Sequence, residues 1–411
     1  MKHFVLYIVL ILSSFLISPG FLIKTANNIN QSIITTDDTG KVKKDTSINK
    51  LPEGYPYIIN FTLSKQKKIK SVCTDSTGIM IFADNTGLTF FDGATEKHLK
   101  IEDSPNEIKK DKNLNRFYIA CKKGYGYLSK DNTGNFIYRS ISEELHDNQS
   151  YNQIIVTGEN IIFSGNYYTV NYNLKTKKVT EVYNDNKNPI TGIFELNNKL
   201  YINVLNKGLQ YVSYKKKISV ISDSLFASSE ILFSVSYGES VILGMSNNRL
   251  YVFDGTNYSP FENKASDYIQ ESVINGGADI DAGKFVVTTL NGGAIILDKK
   301  TGKSENILNY RTGLPDDEIF AVATDLTGGL WLAHDYGISR VTFDIPVKNF
   351  GMYPGLQGNI NDVEFYDSTF CVWQASWLSH GSCCAITQVG KCRKIQQAVE
   401  FCDSMTRCVL L

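Results

Sequence analysis

The stretch from Leu326 to Val341 alternates polar turns with short apolar runs, as a β-hairpin does. It reads LTGGLWLAHDYGISRV, in which the apolar run 330–333 follows a Thr-Gly-Gly turn and precedes a polar break. A second apolar run starts at Ile338. Two apolar runs on either side of a short Gly-containing loop predict a pair of antiparallel strands.

The same outline recurs along the chain at a nearly constant interval. The other copies read IMIFADNTGLTFFDG, FYIACKKGYGYL, IIFSGNYYTVNY, LYINVLNKGLQYV, VILGMSNNRLYVFDG and FVVTTLNGGAIILD. The last loop position before the second strand recurs every 39 to 44 residues, and its occupants are Gly87, Gly126, Thr169, Gly208, Arg249, Gly293 and Gly337. A period of about 40 to 45 residues with several short strands is typical of a four-stranded propeller blade. The sequence therefore predicts an all-β fold, a β-propeller over residues 55–370, with seven blades on the visible count.

Helical repeats of similar length are the main alternative to blades. They require apolar residues at spacings of three and four over ten or more positions. Here the apolar runs are short and are broken by Gly, Asn and Asp. The chain also contains 23 Tyr and 22 Phe, and this aromatic content favours strands.

The N-terminus has the pattern of an export signal. A short cationic start precedes an apolar run over 4–17, and Ser-Pro-Gly ending at Gly20 follows it. This predicts a signal peptide or a signal anchor over residues 1–23. Residues 24–54 are polar and predict a disordered linker. Either form of the signal exports the rest of the chain, so we expect it in the periplasm or on the extracytoplasmic side of the membrane.

The charge balance excludes one class of partner. The chain has 42 Lys plus Arg and 42 Asp plus Glu, and the basic residues form no concentrated stripe. A nucleic-acid-binding protein normally presents such a stripe, so we expect no nucleic-acid partner.

The segment from Asn309 to Val341 carries a more specific pattern than the period. It combines a Gly-Leu-Pro triplet, an Asp-x-x-Gly turn followed by Trp, and a loop Gly before the second strand. In this pattern the chain resembles the two-component regulator propeller family. An earlier copy matches the same turn more loosely. The motif residues are Asp75, Gly78, Gly87, Gly208, Gly293, Gly313, Leu314, Pro315, Asp325, Gly328, Trp331 and Gly337.

These motif residues suit structural roles better than catalytic ones. An Asp at the start of a tight turn can accept hydrogen bonds from backbone N–H groups, and Gly can supply a positive φ. Trp331 lies in a predicted strand, where we expect it to be buried between blades.

A further copy is predicted to start at 353–363, where Tyr-Pro-Gly-Leu is followed by Asn-Ile-Asn-Asp-Val.

The resemblance implies a sensor and not an enzyme. Propellers of this family form extracytoplasmic ligand-sensing parts of bacterial membrane regulators, commonly followed by a membrane span and an output module, and several are linked to glycans. It implies a small ligand, for which an oligosaccharide is one candidate, and no cofactor. It also implies membrane association through the N-terminus or a missing downstream part, and dimerisation through that downstream part.

Ligand is expected where loops from several blades converge, at the central channel or on one face. Aromatic loop residues can stack on sugar rings. The candidate ligand-binding residues are Tyr125, Tyr167, Tyr168, His334 and Tyr336. The five His are scattered, and the chain contains no phosphate loop or nucleophile-elbow motif, so we predict no catalytic residue and no metal site. An exported glycan lyase or hydrolase and a protein-interaction propeller remain the alternatives.

The segment 371–411 changes in character. It holds six of the eight Cys and two of the three Trp, and it has no Tyr. A disulfide-rich cap, a metal site at His380, Cys383, Cys384 and Cys392, and a shifted reading frame are three interpretations. Read one nucleotide later, the codons from Phe370 permit a further blade hairpin, which favours the frameshift and a truncated sensor. The other two cysteines, Cys73 and Cys121, are expected to be buried in strands.

Overall fold

Short runs of β-branched and aromatic residues form nearly all of the regular structure. The computed structural model describes residues 54–349 except 65–67, 112–113, 143–149, 214–215, 344 and 346, together with the strand backbones 359–366, 369–375, 382–386 and 392–394. The chain divides into two compact units. One unit is Gly54–Leu356, and the other combines the segments on either side of it.

The Gly54–Leu356 unit contains seven sheets of four antiparallel strands. Strand β1 (Tyr57–Phe61) comes first in the chain but belongs to the seventh blade. Blade 1 consists of β2 (Ser71–Thr74), β3 (Met80–Asp84), β4 (Gly87–Phe91) and β5 (Glu96–Lys100). Blade 2 consists of β6 (Pro105–Asp111), β7 (Arg116–Cys121), β8 (Tyr125–Lys130) and β9 (Phe136–Ser140). Blade 3 consists of β10 (Tyr151–Thr157), β11 (Asn160–Gly165), β12 (Tyr168–Asn173) and β13 (Val179–Asn184).

The remaining blades repeat this order. Blade 4 consists of β14 (Ile190–Leu196), β15 (Lys199–Val204), β16 (Gly208–Ser213) and β17 (Lys216–Ile221). Blade 5 consists of β18 (Ile231–Tyr237), β19 (Ser240–Met245), β20 (Arg249–Phe253) and β21 (Tyr258–Pro260). Blade 6 consists of β22 (Ile274–Asp279), β23 (Lys284–Thr289), β24 (Ala294–Asp298) and β25 (Ser304–Leu308). Helices α1 (Ser224–Ser228) and α2 (Ser266–Ser272) and the 3-10 turn Tyr310–Thr312 lie in the links that precede blades 5, 6 and 7.

Blade 7 closes the ring with strands from both ends of the unit. It consists of β26 (Ala321–Thr324), β27 (Leu330–His334), β28 (Gly337–Thr342) and, as its outermost strand, β1. Strand β1 pairs with β28 from Tyr57–Thr342 to Phe61–Ile338. The inner strand β26 lies beside β2 of blade 1. Closure brings the inner strands together around the channel, which shields their edges against association with other chains.

These sheets confirm the predicted all-β propeller of seven four-stranded blades. Each of the seven predicted hairpins forms the second and third strands of one blade. The export signal, the linker and the side chains of the Cys-rich tail lie outside the described residues. In the other unit, β29 (Asn359–Tyr366), β30 (Thr369–Ala375), β31 (Ser382–Ile386) and β32 (Cys392–Lys394) form a further four-stranded sheet. Its first strand overlaps the end of the further copy predicted at 353–363, whose residues 353–358 lie outside the described residues.

The core consists of hydrophobic clusters between neighbouring blades. In the described part of the chain, seven such clusters occur, one at each blade interface. Trp331 is 6% exposed and stacks on Phe61 at 5.6 Å between ring centroids, in the cluster that joins blades 7 and 1. Its predicted burial between blades is therefore confirmed. Cys73 and Cys121 are free thiols in the cluster between blades 1 and 2.

Close contact with the outermost strand explains why Gly recurs in the loop between the second and third strands. Gly208 has φ +78, and a Cβ there would lie 2.2 Å from the carbonyl oxygen of Ile221 in β17. At Gly337, with φ +129, a Cβ would lie 2.3 Å from the oxygen of Phe61 in β1. Because a real Cβ does not approach an oxygen so closely, Gly allows the fourth strand to close against the hairpin.

Candidate functional site

Because neighbouring strands are antiparallel, the turn between the second and third strands and the link to the next blade lie at the same end of every blade. The upper face is defined by the turns between second and third strands (85–86, 122–124, 166–167, 205–207, 246–248, 290–293 and 335–336) and by the links between blades. The lower face is defined by the turns between first and second and between third and fourth strands. Side chains from all seven blades converge on the upper face, so it is the first place to look for a ligand site.

Blades 6 and 7 present exposed aromatic side chains on the upper face. Tyr310 is 63% exposed in the link between these blades, and Tyr336 is 65% exposed in the turn of blade 7. Asp316, Asp317 and Asp335 belong to the same link and turn. We call Tyr310, Tyr336 and these three carboxylates the aromatic arc. Aromatic rings beside hydrogen-bonding carboxylates suit a ligand with both apolar faces and hydroxyl groups.

The link that carries Tyr310 is held in place by its own hydrogen bonds. The side chain of Asn309 accepts from the N–H of Arg311, and the backbone N–H of Asn309 donates to Thr312 Oγ1 at 2.7 Å. The N–H of Tyr310 donates to Asp317 Oδ1 at 2.6 Å. Asp317 in turn accepts from the N–H of Gly293 through its carbonyl oxygen. The Tyr310 ring is therefore exposed on a well-supported loop, which lowers the entropy lost when it contacts a ligand.

Next to this arc lies a strained apolar pair. Val273, at the end of α2, has φ 54 and ψ 98 and is 41% exposed. A β-branched residue rarely adopts positive φ, and such outliers concentrate at functional sites. Its carbonyl oxygen accepts from the N–H of Leu290, which is 38% exposed.

Blades 1 to 3 present polar side chains on the same face. Lys70 Nζ donates to Asn106 Oδ1 at 2.8 Å, and Asn106 Nδ2 lies 3.2 Å from Asn152 Oδ1. Asn152 Nδ2 continues to Asn166 Oδ1 at 3.0 Å. We call these four residues the polar arc. Burial, and then the nearby Lys122 charge, lower the pKa of Lys70.

Below the polar arc, side chains of the inner strands bind the next blade. Ser71 Oγ accepts from the N–H of Ile108, Glu107 accepts from that of Ile154, and Gln153 accepts from that of Ile193. The three acceptors occupy the same register position in blades 1, 2 and 3. These contacts join blades 1 to 4 around the channel, so their first role is structural.

The sequence-predicted ligand residues lie in different environments. Tyr125 is 3% exposed and stacks on Phe163 at 4.5 Å, inside the cluster between blades 2 and 3. Tyr167 and Tyr168 are half-buried in blade 3, where Tyr168 donates to Asn186 at 2.7 Å. Tyr336 is exposed on blade 7. The structure thus places these four rings on three blades, with only Tyr167 and Tyr168 together, and their role in binding stays a prediction.

His334 is buried at the end of β27. It is 1% exposed, and its Nε2 lies 2.8 Å from Ser339 Oγ, which donates to Asn60 Oδ1 at 2.6 Å. Because the Ser339 hydroxyl hydrogen is used by Asn60, His334 Nε2 must be the donor of the first bond. Nδ1 is then an acceptor, and among the described residues it is buried without a hydrogen-bond partner. Burial lowers the pKa of His334 despite the nearby Asp316 and Asp335 charges, so the ring fastens the closing strand as a neutral group.

The Asp-x-x-Gly turns fold as their sequence predicts. In each predicted turn one carboxylate oxygen, of Asp75 or Asp325, accepts from two backbone N–H groups and one Thr hydroxyl. Gly78 and Gly328 have φ +92 and +79. Asp131 forms the same bonds in a third turn, which the sequence reading missed. Its sequence, Asp-Asn-Thr-Gly, matches the other two as Asp-x-Thr-Gly and was a usable signal.

The described residues contain no group of three or more His, Cys, Asp or Glu side chains placed to hold a metal ion. In the same part of the chain, no helix has the length and apolar character that a membrane span requires.

Comparison with known proteins identifies the fold but not a family. No protein-family model matches the chain, and no curated protein matches it either. Among solved structures, the chain is similar to the extracellular domain of a B. thetaiotaomicron protein described as a hybrid two-component system, with 17% identity and a TM-score of 0.61 over 82% of this chain and 49% of that one. A second such domain of that organism gives 16% identity and 0.57, over 83% and 47%. The chain thus spans about half the length of these extracellular domains.

Single-propeller enzymes are similar to a smaller part of the chain. A streptogramin B lyase has 11% identity and a TM-score of 0.58, over 71% of this chain and 99% of its own. Identities this low establish the propeller fold alone.

Proposed function

We propose that this chain is the extracytoplasmic ligand-sensing propeller of a bacterial membrane regulator, with its output part outside the sequence given. The observation that supports it most is the extent of the similarity to extracellular domains of two-component systems. That similarity covers 82–83% of this chain, against 71% for the lyase. The family-like repeat at 309–341 points in the same direction.

We further propose that the ligand is an oligosaccharide bound on the upper face. The aromatic arc supplies two exposed rings and three carboxylates, and the polar arc supplies the ammonium group of Lys70 and amides on blades 2 and 3. Sugar rings stack their apolar faces on aromatic side chains and direct their hydroxyls to carboxylates and amides. Signalling then requires the ligand to bind one arrangement of the complete regulator more tightly than another.

The test is a titration of the purified full chain against a panel of oligosaccharides. We expect at least one oligosaccharide to bind, and Tyr336→Ala and Tyr310→Ala each to weaken that binding by about two- to tenfold, since a stacked ring is worth roughly 0.5 to 1.5 kcal/mol. Leu326→Ala is the matched control, because Leu326 is 59% exposed in a lower-face turn. An equal loss of affinity in Leu326→Ala, or no loss of affinity in either Tyr variant, contradicts this placement of the site.

A lyase or hydrolase is the second candidate, because a lyase shares the fold. A sensor returns its ligand intact, whereas a lyase or hydrolase does not. Chromatography of the bound oligosaccharide after prolonged incubation separates the two. Cleavage products that form in proportion to protein concentration overturn the sensor proposal.

A further inference from the structure

Exposed apolar side chains on the upper face are concentrated in one sector. Among the described residues, eight large hydrophobic side chains are exposed, and four of them lie on the upper face. These four belong to blades 6 and 7 and the links before them, and they are Val273, Leu290, Tyr310 and Tyr336. Exposed apolar groups with polar neighbours mark binding sites when they lie together. Val273 and Leu290 are the two that the aromatic arc does not include, and we call them the apolar pair.

Two hydrogen bonds hold the apolar pair in place. The carbonyl oxygen of Val273 accepts from the N–H of Leu290 at 3.0 Å, and the N–H of Ile274 donates to Asn248 Oδ1 at 2.9 Å. These bonds fix Val273 between the upper-face turns of blades 5 and 6, at a positive φ that a β-branched residue disfavours. Strain of this kind persists only where the surrounding structure enforces it, and it concentrates at ligand-binding sites.

The same network joins the apolar pair to the link that carries Tyr310. The hydroxyl of Tyr268, in α2, donates to the carbonyl oxygen of Gly292 at 2.9 Å and accepts from Asn309 Nδ2 at 3.3 Å. Gly292 lies two residues after Leu290, and Asn309 directly precedes Tyr310. One side chain of α2 therefore fixes the turn of the apolar pair to the link of the aromatic ring. The pair and the ring belong to one supported surface.

Amide donors lie next to the apolar pair. Asn291 follows Leu290 in the turn and is exposed, and its Nδ2 lies 3.4 Å from the carbonyl oxygen of Glu271. Asn248 Nδ2 lies 3.4 Å from the carbonyl oxygen of Gln270. Both distances are long for hydrogen bonds. Because an amide NH₂ group has two hydrogens, each can donate to a ligand carbonyl and keep its present bond.

An acetamido group complements these neighbours. Its methyl group is apolar, and its carbonyl oxygen accepts hydrogen bonds, as the apolar pair and the amide donors require. Its N–H needs an acceptor, and the aromatic arc contains three carboxylates. A plain sugar hydroxyl has no apolar part, so it would leave the apolar pair in contact with water.

We propose that the oligosaccharide of the upper face contains an N-acetylhexosamine unit. The sugar ring stacks on Tyr310, the methyl group of the acetamido group contacts Val273 and Leu290, and its carbonyl oxygen accepts from Asn291. This inference rests on the proposed oligosaccharide site and narrows its ligand from sugars in general to N-acetylated sugars.

The experiment is calorimetric titration of the full chain with triacetylchitotriose and with cellotriose. The two trisaccharides share their linkage, and they differ only in whether an acetamido group or a hydroxyl group is attached at C2 of each ring. We expect triacetylchitotriose to bind at least about tenfold more tightly, the combined effect of one buried methyl group and one hydrogen bond.

Two variants locate the acetamido contact. Leu290→Ala keeps the backbone N–H that bonds Val273, and Asn291→Ala removes the amide donor. Each is expected to reduce the preference for triacetylchitotriose over cellotriose by about three- to tenfold. Leu326→Ala is the matched control for Leu290→Ala, because Leu326 is an exposed Leu in a lower-face turn. It should leave the preference unchanged.

The outcomes separate this inference from the proposed function. Equal affinities for the two trisaccharides overturn it, and so does an equal loss of preference in Leu326→Ala and Leu290→Ala. If another oligosaccharide binds and triacetylchitotriose does not, the oligosaccharide site stands and this inference fails. If no oligosaccharide binds, both fail.

Discussion

Replacing Asp325 by Ala tests how one turn supports the closure of the ring. Asp325 Oδ1 accepts from the N–H groups of Thr327 and Gly329. Its Oδ2 accepts from Trp331 Nε1 at 2.9 Å and from Arg340 Nε at 2.7 Å. The carboxylate therefore joins its own turn to β27 and β28, next to the pairing of β28 with β1.

The expected cost follows from a comparison with the third turn. Asp131 forms the same turn bonds, and no Trp or Arg among the described residues bonds its carboxylate. Replacing Asp131 by Ala therefore removes only the turn's own hydrogen bonds. At Asp325 the Ala variant also leaves the largely buried Arg340 without its carboxylate, and breaking such a pair costs about 3 to 5 kcal/mol.

The assay is urea unfolding of the full chain at neutral pH, followed by circular dichroism. We expect Asp325→Ala to lower the free energy of unfolding by at least about 2 kcal/mol more than Asp131→Ala does. Adding Arg340→Ala to Asp325→Ala should cost less than Arg340→Ala alone, because the two side chains act together. Equal losses for Asp325→Ala and Asp131→Ala would refute this reasoning.

The same carboxylate gives an acid dependence of known sign. Burial disfavours its charge, but the hydrogen bonds from Arg340, Trp331 and Thr327 outweigh burial and hold its pKa at about 2. Because the pKa is lower in the folded state, the unfolded chain takes up the proton first as pH falls. The contribution of Asp325 is thus complete above about pH 4 and is lost toward pH 2. Asp325→Ala should show a shallower loss of stability in that window.

Three other experiments have expected outcomes. Gly208→Ala should lower the midpoint of thermal unfolding more than Gly78→Ala does, because a Cβ at Gly208 meets the Ile221 oxygen at 2.2 Å and one at Gly78 meets nothing within 4 Å. Equal shifts of the midpoint would contradict the role of the Ile221 contact, because both Gly have a positive φ. Stability should fall as pH drops below about 6.5, because the unfolded chain protonates His334 before the folded chain does, and His334→Gln should flatten that part of the unfolding profile. Resequencing the gene across codons 365–378 should reveal one inserted or deleted base whose correction restores the blade pattern; a confirmed reading frame would reject the frameshift.

Local interactions account for what the sequence predicted well. A hairpin needs two apolar runs and a permissive loop, so the period, the blade count and the Asp-x-x-Gly turns can be read from short stretches of chain. Trp331 was also placed correctly, because a Trp inside a strand between turns is nearly always buried. The turn at Asp131, which was not predicted, carries the same local Asp-x-Thr-Gly signal.

The candidate sites depended on contacts between distant segments. Tyr125 and Tyr310 are both aromatic residues near turns, yet one is covered by blade 3 and the other is 63% exposed. His334 is buried because Asn60, 279 residues from Ser339 in the chain, arrives with the closing strand.

The sequence by itself determined the kind of fold, the number of visible blades and the chemistry of the turns. Only the tertiary structure decided that β1 completes blade 7 and which aromatic rings remain exposed. The physical reason is the distance along the chain between the residues that interact. Turns and hairpins depend on neighbours within a few residues, whereas burial depends on which blade packs against which face.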